Sequence, residues 1–584
     1  FEASLFLPSA LQEFCGPERT PKGRPGIVGF REHIFSAVGL LGRIAADSEF
    51  TFGTMIQRTL DWPLNSRFHY GHPDLMDKLQ VVQQGGVSKA TRGLNLSEDI
   101  FAGLDLSLRG GWTVYREYFH VGKGRDMGFM SVLSFYAKVS MGNAEQAITR
   151  QWMRLGLHLE LSQLLGIFYS HIGFYMNQCL VNRATKAFCF SAAIFALSAE
   201  VREEFAPLAV EMISSYFGYF YLLFVLASML PFAFEVMLEE GGLAALWSLG
   251  SSLLALSPVF SAFQSKLMSH FFETTLNYGG AQYIPTGRGL ATSREPFMKS
   301  FRCFAPSHMY DALEVVLFIL FSVGQNYGAG FYFCAVFTAT SWLTAPFLFN
   351  PRQFESKTQA LRDFHEWMTW MMSLGDKEEV SWYAWQVSLQ EVRRNKFIVQ
   401  FIFGNCRFLA ALCTLGLLAS VHPFRSLRVV TACLVYLPYL SHLVVCLLLS
   451  LAFSCNVSGR VPHILIAALA ALLTLFEFAL TAHLLSPVLI FHKYICLRWM
   501  LEAADGIAAL KPCKAVLAPL HDGCRLWAFS WRFLRDLVLG VSVALLFFAM
   551  TCIPCLNYLH TLFLFHTRRP KEEGLVVEES DPNE

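Results

Sequence analysis

The sequence predicts a soluble α/β portion over residues 1–160 followed by an α-helical transmembrane bundle over 161–568, with an acidic tail over 569–584. Three observations carry this. Of 584 residues, 54% are hydrophobic and only 16% charged, where an average soluble domain carries roughly 25% charged residues. The mean hydropathy is +0.41, and the chain holds 54 phenylalanines. Finally, Gly, Arg, Lys and Asp are frequent up to Glu160, and long uncharged runs begin after it. A net charge of +1 gives no reason to expect a nucleic-acid partner. The 15 cysteines lack the spacing of a disulfide framework, and Cys552–Cys555 reads as small residues of an apolar helix. The chain opens on Phe1 without a charged stretch leading into an apolar one, so no signal peptide is expected and the start reads as the interior of something longer.

Taken in order, residues 1–160 mix polar and apolar positions in patterns that leave helix and strand boundaries open. From Ala144 the run "AEQAITRQWMRLGLHLELSQLLGIF" reads as helix. Its drift from polar to apolar suits a helix lying at a membrane interface. A helix needs about 20 mainly apolar residues to span a bilayer. Residues 161–182 supply one such run, uncharged apart from His171, and residues 214–234 a second. Residues 315–351 are long enough for two, with Gly324, Gly328 and Gly330 marking a tight turn between them. Residues 408–424, 429–459, 461–492 (broken by Glu477) and 537–567 bring the total to about eight. Residues 242–263 start with few large apolar groups and read as an interfacial or re-entrant segment.

Lys and Arg placement puts the loops 264–309 and 352–396 on the cytosolic side, together with the soluble portion. The basic loop 493–535 falls outside by the same counting, a conflict unless 461–492 hides a helical hairpin. Asn456-Val457-Ser458 is an N-glycosylation sequon whose side of the membrane stays open. The tail "KEEGLVVEESDPNE" reads as disordered.

Several polar strings could carry chemistry, and each has a plainer reading. In "GGVSKATR" (85–92), glycines allow close backbone approach and Lys89 and Arg92 can hold phosphate oxygens; a turn and a solvated basic strand would look the same. In Ser97-Glu98-Asp99, a carboxylate can take a proton from an attacking hydroxyl. The alternative is a helix N-cap with two first-turn acids. "GKGRD" (122–126) puts Lys123 and Arg125 in an anion-holding loop, or Arg125 and Asp126 simply fix the loop. Gln151 and Arg154 share one helix face, so Arg154 can pair with a diphosphate while Trp152 offers a surface for a sugar; Trp and Arg also anchor helices at the interface. Arg288, in "TGRG" (286–289), is a further anion-binding candidate or a positive-inside arginine. His69 and His72 in "RFHYGHPD" (67–74) lack an obvious third metal ligand.

Taken together, "GFREHIFS" (29–36), "RFHYGHPDLMDK" (67–78), "GGVSKATRGLNLSEDIFAG" (85–103), "VGKGRDMG" (121–128), "GNAEQAITRQWMRLG" (142–156) and "GGAQYIPTGRGLATSR" (279–294) resemble, in order, the 1,3-β-glucan (callose) synthases. "FNPRQFE" (349–355) extends the resemblance, and beyond Lys396 only the hydropathy pattern follows. The resemblance implies a processive, inverting glycosyltransferase of the plasma membrane. It would use UDP-glucose as donor on the cytosolic side and move a linear 1,3-β-glucan through its own helices. The soluble portion would be a partial GT-A-like domain, similar to that of cellulose synthase. There a TED motif supplies the catalytic base and Q-x-x-R-W sits on an interfacial helix.

Ser97-Glu98-Asp99 resembles TED, which implies Asp99 as base with Glu98 tuning it. Gln151 and Arg154 keep Q-x-x-R, but Leu155 stands where the Trp would follow, leaving the acceptor platform open to Trp152. Lys89 and Arg92, with Lys123 and Arg125, would stabilise the leaving UDP, where developing charge makes electrostatic help largest. Trp342, Tyr327 and Gln325 are candidates to line a glucan path. Expected partners are the glucan polymer, membrane lipid, and a small GTPase or other regulatory subunit. No residue is assigned to a metal, and a divalent-metal requirement is left open. Family members are much longer, so the chain reads as a C-terminal portion. A membrane transporter or channel explains the spans equally well but not the dense polar strings, and a non-catalytic pseudoenzyme scaffold is the third reading.

Overall fold

The computed structural model describes residues 5–15, 25–34, 39–69, 96–124, 127–197, 230–281, 293–323, 327–373, 375–394, 501 and 518–565. Lys89, Arg92, Arg125, Arg288, Gln325, His72, the sequon, the acidic tail, the expected spans 408–424, 429–459 and 461–492, and most of 214–234 lie outside the described residues.

The described soluble portion is mostly helical around a two-stranded parallel sheet. Strand β1 (Ile27–Ile34) pairs with β2 (Thr113–Lys123), Ile27 opposite Thr113 and Ile34 opposite Lys123, with an irregularity between Phe30 and Arg31. Parallel strands need a long crossover. Here it includes α2 (Gly39–Phe50), a π-turn (Thr51–Ile56), α3 (Gln57–Asp61) and α4 (Glu98–Leu108); α1 (Leu7–Cys15) precedes the sheet. The α/β expectation thus reduces, among the described residues, to one strand pair with helices around it.

A buried cation stitches the crossover onto the sheet. Arg67 is only 4% exposed, donates from Nη1 to the Val114 carbonyl at 3.1 Å and lies 5.5 Å over the Tyr115 ring. Gly29 makes room for it, because a Cβ there would strike the guanidinium. Burial pulls the Arg67 guanidinium down to about 10, with Asp61 opposing that pull, so it stays charged at neutral pH.

The single helix expected from Ala144 is three pieces. Helix α5 (Phe129–Ala147) ends, Thr149 turns extended (ψ 148), α6 (Arg150–Leu155) follows, and α7 (Leu161–Ser170) starts from a capping box between Glu160 and Gln163. The expected span 161–182 is likewise broken: His171, with φ −125 and ψ −105, separates α7 from α8 (Ile172–Leu197). Asn177, Gln178, Asn182, Arg183 and Lys186 fall along α8, and it is not among the helices apolar enough to cross a membrane.

Three described helices meet that condition: α11 (Phe297–Ser322), α12 (Ala329–Leu348) and Ala528–Thr551, the latter being the apolar part of α15 (Ala518–Thr551). The pair α9 (Gly242–Leu254) and α10 (Ser257–Tyr278) is bent by 70°, a geometry shared by a broken span and a re-entrant segment. Leu256 makes the corner in left-handed conformation at φ 57. Helix α11 begins well before residue 315, α10 holds Lys266, and α15 starts inside the expected loop 493–535, so these basic stretches are helical where a loop was expected. The reason is packing. Phe297, Phe301, Trp367, Trp370, Trp382, Phe529 and Phe533 form one aromatic core joining α11, α13 (Lys357–Met372), α14 (Trp382–Arg394) and α15. The last expected span, 537–567, stops at Thr551; Pro554 opens the separate α16 (Pro554–His560).

Candidate active site

Helix α4 carries Glu98 and Asp99 in its first turn, where the helix N-terminus favours negative charge. Ser97 is the N-cap residue of this helix but makes no side-chain cap bond, so the plain reading of an N-cap with two first-turn acids holds in position and lacks the capping hydrogen bond. The helix start is instead tied to α5. The Leu96 amide donates to Glu145 Oε2 at 3.1 Å, and Gly142 leaves the space that the Ser97 side chain fills. Two of the polar strings, "SED" and "GNAEQ", therefore form one joint.

The other side of Asp99 is set by glycine. A Cβ at Gly103 would collide with the Phe68 carbonyl oxygen, so only glycine lets α4 lie against the segment 66–69. Gly103 and Asp99 are four apart and share a helix face. The close approach delivers His69 to the carboxylate: His69 Nε2 lies 3.1 Å from Asp99 Oδ2. Asp99 Oδ1 accepts from the Ile100 amide at 3.0 Å. His69 is 6% exposed, with the Phe52 ring 5.1 Å away in edge contact.

Apolar packing brings in the Q-x-x-R helix. Ile100, Phe101 and Leu104 of α4 cluster with Leu60, Phe68, Leu155 of α6 and Ile167 of α7, and Trp152 packs on this cluster. Trp152 also faces the His171 ring at 6.2 Å between centroids, and Phe52 touches His171 at 5.9 Å. His171 is 2% exposed; its Nδ1 bonds the Ile167 carbonyl at 3.1 Å. A carbonyl only accepts, so Nδ1 carries the proton. Burial pushes the imidazole down to about 4, with the Ile167 bond and the Asp99 charge opposing and His69 adding. His69, which meets Asp99, and His171, which meets Trp152, thus both face Phe52.

The remaining sequence candidates fare differently. Gln151 is half-buried, while Arg154 projects exposed from α6, with Leu155 the buried residue of its turn. Lys123 ends β2 opposite Ile34. Tyr327 donates to the Ala192 carbonyl at 2.8 Å and Trp342 Nε1 to the Ala262 carbonyl at 3.3 Å, so both tie helices together where a glucan-lining role was expected. Among the described residues no three His, Cys, Asp or Glu side chains converge as a metal set. Sequence reasoning missed His171 as a site residue, since a lone histidine inside an apolar run carries no motif.

It also missed a buried quartet between α8, α10 and α11. Asp311 accepts from Lys186 and from Lys266, the latter at 2.5 Å. Glu314 pairs with Lys186 at 2.7 Å, and Lys266 sits 5.1 Å over the Trp342 ring.

Comparison with known proteins places these features. The sequence profile described as 1,3-beta-glucan synthase component matches residues 16–402. Callose synthase 12 of Arabidopsis thaliana is 36% identical over 413 residues, covering 68% of this chain and 23% of that protein. Callose synthase 11 is 35% identical over 406 residues, covering 67% and 23%. Callose synthase 4 is 31% identical over 592 residues, covering 97% and 30%. The chain spans less than a third of the length of these curated relatives. No solved structure matches. Because the matched profile runs over every polar string assembled at this site, the chain belongs to the 1,3-β-glucan synthase family.

Proposed function

We propose that this chain supplies the acceptor-activating side of a 1,3-β-glucan synthase and part of the membrane passage for its product. The donor is UDP-glucose, held in a GT-A-like domain that Lys89, Arg92, Lys123 and Arg125 help to complete. The acceptor's 3-hydroxyl oxygen attacks the anomeric carbon of the donor glucose. The bond from that carbon to the UDP oxygen breaks, UDP leaves with the electron pair, and Asp99 takes the hydroxyl proton. Attack from the face opposite UDP inverts the α-linked donor into a β-1,3 bond. Arg154, exposed on α6, is free to meet a diphosphate. The observation that carries this reading is Asp99 held 3.1 Å from His69 on a helix packed against the Q-x-x-R helix. His69 fixes the carboxylate's orientation.

The test is UDP-glucose incorporation by membranes carrying the full-length protein. The expected product is alkali-insoluble and digested by 1,3-β-glucanase. Asp99→Asn should lower the rate by about 10²–10⁴-fold, the range for a positioned base. A variant that keeps the parental rate, or a 1,4-linked product, overturns the proposal. Transport that survives Asp99→Asn in a chain making no glucan would favour the transporter reading instead.

A further inference from the structure

Two thiols near the C-terminal end of the described residues have no part in the sugar chemistry. Cys552 and Cys555 read in sequence as small residues of an apolar helix, but α15 ends at Thr551 and Pro554 opens α16. The pair therefore occupies a corner between two helices. Both cysteines are free and exposed, whereas Cys179, Cys189 and Cys334 are buried. The neighbours locate this corner. Phe547, one turn before the end of α15, meets Phe347 and Phe354 at 5.3 and 5.7 Å between ring centroids. His560 Nε2 lies 2.7 Å from the Leu348 carbonyl, which only accepts, so Nε2 donates. The corner thus sits at the closing end of α12. Past α16, a π-turn (Thr561–Phe565) buries Leu564 in one cluster with Leu40 of α2, Phe129 of α5 and Phe260 of α10. Helices α2 and α5 belong to the soluble portion, so the two thiols lie on the face that carries it. Lys and Arg placement assigns that face to the cytosol, and Arg568, Arg569 and Lys571 follow in sequence.

The outer side of the same segment is apolar and uncovered. Ile553, Tyr558, Leu559, Leu562 and Phe563 are exposed, as are Val538 and Leu545, seven residues apart on one face of α15. Such a surface is costly against water. It continues from a helix apolar enough to cross a membrane, so the bilayer is what covers it, with the thiols at the headgroup boundary. We propose that Cys552 and Cys555 are a paired S-acylation site, each taking a long-chain fatty acyl group from an acyl-thioester donor of the acyl-coenzyme A class. In each transfer the cysteine Sγ attacks the thioester carbonyl carbon, and the donor's carbon–sulfur bond breaks. The thiol proton passes to the leaving thiolate. One thioester replaces another, with no oxidant or reductant. Cysteines beside a membrane span are recipients of this modification. A single acyl chain holds a segment only reversibly, while two hold it stably. Since Leu564 is rooted in the same core as α2 and α5, two chains at this corner fasten the soluble portion to the membrane surface. A disulfide within the C-x-x-C is the rival use of the same thiols; the lipid-facing surroundings favour acylation.

The experiment uses membranes from cells that express the full-length protein. They are reduced, blocked with N-ethylmaleimide, treated with neutral hydroxylamine to cleave thioesters, and labelled with a mass-tagging maleimide. The parent protein should carry two hydroxylamine-dependent tags that the double variant Cys552→Ser, Cys555→Ser lacks, and each single variant should lack one. A double variant with as many tags as the parent, or with only one fewer, overturns the proposal. Thiols at these positions that become reactive on reduction alone, before hydroxylamine, mark a disulfide and overturn it too. Mass spectrometry of the parent protein needs no variant: the peptide containing residues 552–555 should bear two acyl groups, and an unmodified peptide overturns the proposal.

Discussion

At the residue scale, the site depends on one atom that is missing. Gly103 has no Cβ, and the Phe68 carbonyl occupies its place. Gly103→Ala must push α4 off the segment 66–69, because a backbone oxygen cannot swing aside. It should destabilise the fold by about 1–3 kcal/mol, the range for overpacking, and pull His69 from Asp99. Thermal unfolding would show the first effect and a fallen turnover at unchanged UDP-glucose KM the second. His69 itself gives a graded test. His69→Gln puts an amide N–H near the position of Nε2, and His69→Ala puts nothing there. Loss of orientation by about 1 Å costs on the order of 10²-fold in rate, so the alanine variant should fall that far and the glutamine variant less. Equal activity of the two would show that His69 does not position the carboxylate.

His171 ties the same residues to pH. Its folded imidazole titrates near 4, against an ordinary value of 6.5. The unfolded chain therefore binds a proton before the folded one does. Stability is whole above 6.5 and falls as the pH drops toward 4, by about 1.4 kcal/mol per pH unit at the steepest. Melting midpoints of the detergent-solubilised protein across this window check the slope. His171→Phe, where it folds, should flatten it.

At the element scale, the quartet of Lys186, Lys266, Asp311 and Glu314 locks α8, α10 and α11. A paired buried charge is weak evidence of stability, but removing one member strands the others. Asp311→Asn leaves two lysines facing one carboxylate and should cost about 3–5 kcal/mol. Lys186→Met with Glu314→Leu removes one charge of each sign and leaves Lys266 on Asp311, so the double variant should lose less. Comparing the unfolding of the two in detergent decides it; a double variant as damaged as Asp311→Asn would mean the charges act singly. Another set of ions docks the helical residues 230–240 onto β1 and α3: Glu239 meets Arg31 at 2.9 Å and Arg58 at 3.3 Å, and Glu235 meets Arg58 at 2.7 Å. These side chains are part-exposed, so each pair is worth only about 0.2–1 kcal/mol.

At the scale of the whole molecule, α11 and α12 form a hairpin whose open end is pinned. Asn350 accepts from the Glu295 amide at 2.9 Å and donates to its carbonyl at 2.8 Å. At about 1.5 Å per residue, a 20-residue α12 is long enough for a bilayer core of about 30 Å. The turn at Val323 and the end at Arg352 should therefore lie on opposite membrane faces. Single cysteines at these two exposed positions, treated with an impermeant maleimide on sealed vesicles, should label from opposite sides; labelling from the same side would rule the hairpin out as a membrane crossing.

The family, the contrast between polar and apolar stretches and the turn between α11 and α12 were legible in the sequence, which also singled out Asp99 as a candidate carboxylate. These are properties of composition, local periodicity and short motifs, all readable along one dimension. Tertiary structure alone decided what Asp99 touches. His69 was legible only as half of a metal pattern, and His171 carried no pattern, because their meeting around Phe52 depends on the space at Gly103 and on a helix break that hydropathy does not register. The same holds for helix ends. Residues 297–309 are basic enough to read as loop, yet they are helical because aromatic neighbours far along the chain, Trp367 above all, pack on Phe297 and Phe301. Hydropathy reports each residue's own transfer from water; it says nothing of the partners that a fold brings to it.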